Sequence, residues 1–216
     1  MILLSSLQNS SNFMLPEGFT YVTDIIDSVI LEPRYFSTYN FVGRRIEGYN
    51  SPNIIMTEKA TKALKIASDE LNKKEYILKI WDGYRPQTAV NYFIQWANDL
   101  LDIKTKKYFY PDLNKRQLFE LGYIVKHSSH TRGSTIDLTI VDKRTGIEVD
   151  MGSTFDLFNE ISHHGTKLIN KQQTKNRNIL KTAMENAGFS AYNTEWWHYT
   201  LSNEPFPDTY FDFPAQ

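Results

Sequence analysis

Three stretches of the chain gather side chains that can do chemistry. The first is Ser128-Ser129-His130-Thr131-Arg132-Gly133-Ser134-Thr135-Ile136-Asp137, the second Glu195-Trp196-Trp197-His198, and the third Trp81-Asp82-Gly83-Tyr84-Arg85-Pro86. Asp137 sits inside an apolar run, where a carboxylate is costly unless it is paired, hydrogen-bonded or on a metal. The plainer alternative is a solvated strand face carrying Asp137 and Thr139. His198, between Trp197 and Tyr199, reads equally as a core histidine. Taken together, two His and one Asp form a catalytic zinc set: three protein ligands leave a fourth position for water. Zinc brings the pKa of such a water to about 7 and polarises a carbonyl. Hydrolysis then needs a further carboxylate as general base and acid, and Glu195 supplies one. Positions three apart on an ideal strand face opposite sides, so Glu195 is expected in the turn before the strand, within reach of His198. Arg85, after a glycine turn, offers a fixed guanidinium for a developing oxyanion, and Asp82 can orient it through a salt bridge. A purely structural Asp82–Arg85 pair that fastens the loop is the alternative.

These residues need elements to position them. Phe19–Ile30 alternates weakly and suggests a short strand, and 35–49 reads as an ordered loop with short strands. Ala60, Ala63, Leu64, Ala67 and Leu71 have helical spacing, predicting a helix over 57–74 capped by Thr57. Residues 76–81 read as a strand. Pro86 suits a first helical position, followed by a stripe of Ala89, Val90, Phe93, Ala97 and Leu101. A short helix is expected over 114–121, and a strand over 134–141 with Ile136, Leu138 and Ile140 on one face. Residues 176–187 predict a helix stopped by Gly188, and 196–201 a closing strand. The order lacks a regular βαβ rhythm, which favours an α+β fold.

Composition sets the outer bounds. The chain has 216 residues, 41% hydrophobic and 14% aromatic, which suits one domain with a substantial core. A net charge of −1 does not by itself exclude a basic face for nucleic acid, but no basic cluster in the sequence supports one. Without cysteine, disulfides and zinc-finger chemistry are excluded, so any zinc must use His, Asp or Glu. No window is apolar for long enough to span a membrane. Residues 1–15 are expected to form a loose arm without the positive start of a secretory signal, which leaves a cytoplasmic or periplasmic location open. Oligomeric state is not legible.

The words Trp-Asp-Gly-Tyr-Arg-Pro (81–86), Ser-Ser-His-Thr-Arg-Gly-Ser (128–134), Ile-Asp-Leu-Thr (136–139), Met-Gly-Ser-Thr-Phe-Asp (151–156), Ser-His-His (162–164) and Glu-Trp-Trp-His (195–198) resemble, in order, those of the zinc D,D-peptidase superfamily. The closer resemblance is to D-alanyl-D-alanine dipeptidases of the vancomycin-resistance type. It implies a single α+β domain of the Hedgehog/DD-peptidase kind, with a small, mostly antiparallel sheet flanked by helices. It further implies one zinc per chain on His130, Asp137 and His198, Glu195 as base, Arg85 as oxyanion partner, and Ser128, Tyr35 and Asp156 around a free D-Ala-D-Ala dipeptide in a small enclosed pocket. His127, His163 and His164 read as neighbours at the rim. Departures from the pattern are Thr135, where Ala is usual, and the segment 30–34. Two rival readings are a cell-wall D,D-carboxypeptidase or L-alanyl-D-glutamate endopeptidase of the same superfamily, and a zinc-binding module without catalysis.

Overall fold

A computed structural model describes residues 14–216; the arm expected at the N-terminus falls almost wholly outside them. The chain order is β1 (Phe19–Tyr21), β2 (Val29–Leu31), β3 (Ile55–Thr57), α1 (Glu58–Asn72), β4 (Tyr76–Asp82), α2 (Gln87–Asn98), α3 (Lys106–Phe109), α4 (Lys115–Glu120), β5 (Thr135–Asp142), α5 (Lys171–Asn186), β6 (Phe189–Ala191) and β7 (His198–Leu201). The main sheet runs β2-β4-β5-β7-β6, with β2 parallel to β4 and every other pair antiparallel; β1 and β3 form a separate two-stranded ribbon. This is the expected single-domain α+β architecture. No described helix is long and apolar enough to cross a membrane.

β5 is the centre of the sheet, and its β-branched sequence suits that place. Thr135 to Val141 are buried without a break, so the alternative of a solvated strand face is excluded: Asp137 is 2% and Thr139 1% exposed. Helix α1 buries Ala60, Leu64, Ala67 and Leu71 and packs on β4 and α5. Its cap ties it to the His130 loop. Thr57 Oγ1 accepts from the Ala60 N–H at 3.3 Å and shares a hydrogen bond of 2.8 Å with Ser134, while the Thr57 N–H donates to the Gly133 carbonyl at 2.7 Å.

Aromatic residues fill much of the remaining volume, and two of their groups bear directly on the functional segments. Trp81 stacks on Phe155 (4.8 Å), which meets Trp197 edge-on (5.5 Å), forming a layer under the sheet's functional face. The irregular C-terminal segment returns to stack Phe213 on Tyr84 (4.0 Å), and the Phe211 N–H donates to the Thr131 carbonyl at 3.0 Å, fastening the His130 loop from outside.

Local expectations hold best in helix and strand interiors and shift at their ends. Pro86 is the N-cap of α2, so the helix begins at Gln87, one position after the expected start. The same helix stops at Asn98, leaving Leu101 91% exposed and off the stripe. Helix α5 begins earlier than expected because Asn170 and Gln173 form a capping box. β7 begins two residues late because Glu195 to His198 is a turn, the His198 N–H donating to the Glu195 carbonyl at 3.2 Å. The 35–49 loop holds a 3-10 turn at Arg34–Phe36 and one bridge from Tyr49 to Ala215 instead of strands, and Phe19–Ile30 divides between β1 and β2.

Gly133 turns the chain from the His130 loop into β5 at φ +81°, and an added Cβ would lie 2.3 Å from the Phe19 ring. Gly133→Ala should therefore lower stability by about 2 kcal/mol or more, read as a fall in the urea midpoint at unchanged slope.

Candidate metal centre

Strand register brings the site together. Asp82 pairs with Asp137 across β4 and β5, and Asp137 pairs with His198 across β5 and β7. Three functional side chains thus form one cross-strand row, at the close spacing of directly opposed residues. The row depends on a bulge between Ile80 and Asp82. Without the extra residue Trp81 in β4, the alternation of side chains would turn Asp82 to the helix side. His130 arrives from the 3-10 turn Ser129–Arg132, whose N-cap is Ser128.

His130 Nε2 lies 3.2 Å from Asp137 Oδ2, His198 Nδ1 lies 3.1 Å from Asp137 Oδ1, and the two ring nitrogens are 3.3 Å apart. Nitrogen and oxygen ligands about 2.0–2.2 Å from a tetrahedral ion such as zinc would lie about 3.3–3.5 Å from one another. The donor set comes within about 0.2 Å of that spacing. Asp137 Oδ1 is buried and, although 3.1 Å from His198 Nδ1, has no aligned hydrogen-bond donor among the described residues, as expected of a ligand atom. The outer nitrogens are engaged: His130 Nδ1 is 2.8 Å from the Gly83 carbonyl, which fixes its proton there and turns the Nε2 lone pair inward, and His198 Nε2 is 3.3 Å from Ser129 Oγ. His130, Asp137 and His198 are a group that could hold a metal ion.

Glu195 stands in the expected turn, its Oε2 3.4 Å from His198 Nδ1. Burial pushes its carboxyl up to about 7, against the pull of His198. Burial also pushes Asp137 up, but the two imidazoles outweigh it and hold this carboxyl well below the usual range. Arg85 Nε donates to Asp82 Oδ2 at 2.9 Å, and its Nη2 lies 2.9 Å from the same oxygen and 3.6 Å from Asp137. Its guanidinium also lies against the rings of Tyr35 (5.0 Å) and Phe93 (5.3 Å). Burial disfavours the Arg85 charge, yet the surrounding oxygen groups keep its pKa above the ordinary value.

Ser128, Tyr35 and Asp156 line the same cavity, of about 290 Å³. Tyr35 Oη donates to Asp156 Oδ2 at 3.0 Å. Burial, then the charges of Asp137 and Glu195, raise the Asp156 carboxyl well above its usual range. His127 also lines the cavity, its ring 4.8 Å from Tyr210. His163 Nε2 is 3.2 Å from Tyr123 Oη, one step back from the cavity, and His164 sits away from it beside Tyr199.

Sequence reasoning missed several partners. Tyr49 Oη donates to Asp82 Oδ1 at 2.7 Å, Gly83 offers only its carbonyl, and the Tyr192 ring lies 5.2 Å from His198. Ser129 alone had a signal, since it adjoins His130. Thr135, the departure noted above, is accommodated by a hydrogen bond of 2.9 Å to Thr200.

Comparison with known proteins places the chain in a family. A family model described as D-ala-D-ala dipeptidase (Peptidase_M15) matches residues 16–216. A D-alanyl-D-alanine dipeptidase of Enterococcus faecium is 42% identical over 199 residues, covering 92% of this chain and 98% of that protein. One from Streptomyces coelicolor is 38% identical over 196 residues, covering 91% and 97%. One from Escherichia coli is 28% identical over 188 residues, covering 83% and 85%. With the match running from the first described strand to the last residue, the chain belongs to the D-ala-D-ala dipeptidase family.

Proposed function

We propose that this chain hydrolyses the free dipeptide D-Ala-D-Ala, using one zinc ion held by His130, Asp137 and His198. The observation that carries this reading is the convergence of His130 Nε2, His198 Nδ1 and the two Asp137 carboxyl oxygens, with contacts of 3.1–3.3 Å, beside which Glu195 stands 3.4 Å from His198. Bound there, zinc would supply a Lewis acid for the substrate carbonyl and bring the pKa of water to about 7.

The chain's own residues do the rest. Glu195 takes the proton of the attacking water on a carboxylate oxygen and returns it to the leaving amine. Its elevated pKa suits a group that must both accept and give a proton near neutrality. Arg85, aimed by Asp82, faces the carbonyl oxygen as negative charge develops on it. Asp156 faces the dipeptide's ammonium, whose charge would favour the ionised carboxylate against burial, Tyr35 holds that carboxyl, and Ser128 adds a hydroxyl. Phe41, Phe93 and Phe158 make the cavity walls apolar and keep the space small, which favours a free dipeptide over the longer peptides of a carboxypeptidase or endopeptidase. The non-catalytic module is disfavoured by Glu195 and Arg85, since a zinc site that only binds has no use for either.

Glu195→Ala should retain zinc and lose about 10²–10⁴-fold in kcat on D-Ala-D-Ala; wild-type turnover would overturn its role. His130→Ala should reduce zinc to background by elemental analysis of the purified protein. Asp82→Ala strands the Arg85 guanidinium and should cost about 3–5 kcal/mol in urea unfolding, with kcat falling further than KM rises. Faster cleavage of a cell-wall stem pentapeptide than of free D-Ala-D-Ala would move the assignment to the carboxypeptidase reading.

A further inference from the structure

A second cavity, of about 590 Å³, lies on the same face of the sheet, one step along β5 from the metal centre. Thr139, two residues past Asp137, and Trp81, the bulge residue of β4, line it together with Arg34 and the segment after Glu148. Arg34 is 8%, Trp81 2% and Thr139 1% exposed. Arg34 Nε, Trp81 Nε1 and Thr139 Oγ1 have no hydrogen-bond partner among the described residues. Glu32 Oε1 comes within 2.6 Å of Arg34 Nε but outside hydrogen-bond alignment. The guanidinium is otherwise packed on aromatic rings, 4.3 Å from the Tyr39 centroid and 5.5 Å from that of Trp81. Buried donors without acceptors are costly and uncommon. Three beside one cavity point to an occupant that brings acceptor oxygens.

The rim has the opposite character. Glu32 and Glu148, with side chains 40% and 43% exposed, are bridged by Lys79. Asp150 is already engaged, one oxygen by the Gly152 N–H and the other by Gln173. With Asp150, Glu32 and Glu148 carry one negative charge more than Arg34 and Lys79 offset, so a simple anion would deepen the excess, whereas a zwitterion adds no net charge.

We propose that this cavity binds a small zwitterion of the α-amino acid class, its carboxylate inward on Arg34, Trp81 Nε1 and Thr139 Oγ1 and its ammonium outward at Glu32 and Glu148. The site is separate from the metal centre and does not depend on the reaction assigned there. The two share a wall, because Phe155 lines this cavity while Asp156 lines the other.

The test is a glycine titration of the full-length, zinc-loaded, ¹⁵N-labelled chain, followed by NMR of the indole N–H signals of its 4 Trp residues. Trp81→Phe identifies the relevant signal. That signal should shift saturably, with a Kd on the order of millimolar for so small a ligand. Arg34→Gln and the near-isosteric Thr139→Val should each weaken the response at least about tenfold, and acetate should bind about tenfold more weakly than glycine. If Arg34→Gln does not fold, Thr139→Val decides alone. A Trp81 signal that stays fixed means ordered water only and overturns the proposal. A shift that persists in both variants overturns it too, as glycine would then be acting from the metal. Acetate binding as tightly as glycine overturns the zwitterion.

Discussion

The constraint on which the rest of this structure depends is an excess of buried negative charge. Asp82, Asp137 and Asp156 are each under 5% exposed, and the Glu195 side chain is 14% exposed. One guanidinium, Arg85, stands among them. Four carboxylates against one guanidinium leave three negative charges in excess, where water cannot spread them and like charges oppose one another's ionisation. Part of the response is protonation: burial drives Glu195 and Asp156 upward. Part is pairing, as Asp82 faces Arg85. What remains falls on Asp137, held ionised between two imidazoles. A divalent cation on that carboxylate would offset the charge that remains and ease ionisation of the acidic neighbours, which gives His130, Asp137 and His198 an electrostatic reason to hold one.

Such a cluster can persist only on a frame that does not yield. The row Asp82–Asp137–His198 crosses three adjacent strands, so its spacing is set by backbone ladders. The Trp81 bulge turns Asp82 into the row and also sends the Trp81 ring into the aromatic layer against Phe155. The His130 loop is held from two sides, by Thr57 and Ser134 at the start of α1 and by the returning C-terminal segment. Each attachment lies outside the metal centre, yet together they fix the position of one imidazole.

How much of this was legible in the sequence depended on how local each feature is. The alternation of Ile136, Leu138 and Ile140 placed Asp137 on the opposite face, and the geometry of a strand required Glu195 to sit in a turn. Both follow from neighbours along the chain. Whether Asp137 faced water was not legible, because burial of that face comes from distant loops. The bulge was invisible for the same reason: it exists only relative to the register of β5. Tyr49 gave no sign of its bond to Asp82, and Gly83 contributes a carbonyl that no side-chain pattern encodes. Helix ends erred wherever capping chemistry decided them, as at Asn170, where the capping box with Gln173 outweighed the apolar stripe that began later.

Asp156 joins these strands of reasoning. It is a non-glycine residue at φ +59°, a backbone state that is sparsely populated for L-residues and needs support from its surroundings. On one side its carboxyl is bonded to the buried Tyr35 hydroxyl. On the other, the preceding Phe155 is packed between Trp81 and Trp197. The chain must therefore reverse between an aromatic anchored in the layer and a carboxylate aimed at the cavity. Asparagine could adopt the same backbone but would remove the charge, and glycine would remove the side chain altogether. Aspartate is the residue that tolerates this conformation and still presents an ionisable carboxyl to the cavity. The Phe155 before it packs on the same Trp81 ring that the bulge delivers, so one extra residue in β4 bears both on Asp82 and on the segment that carries Asp156.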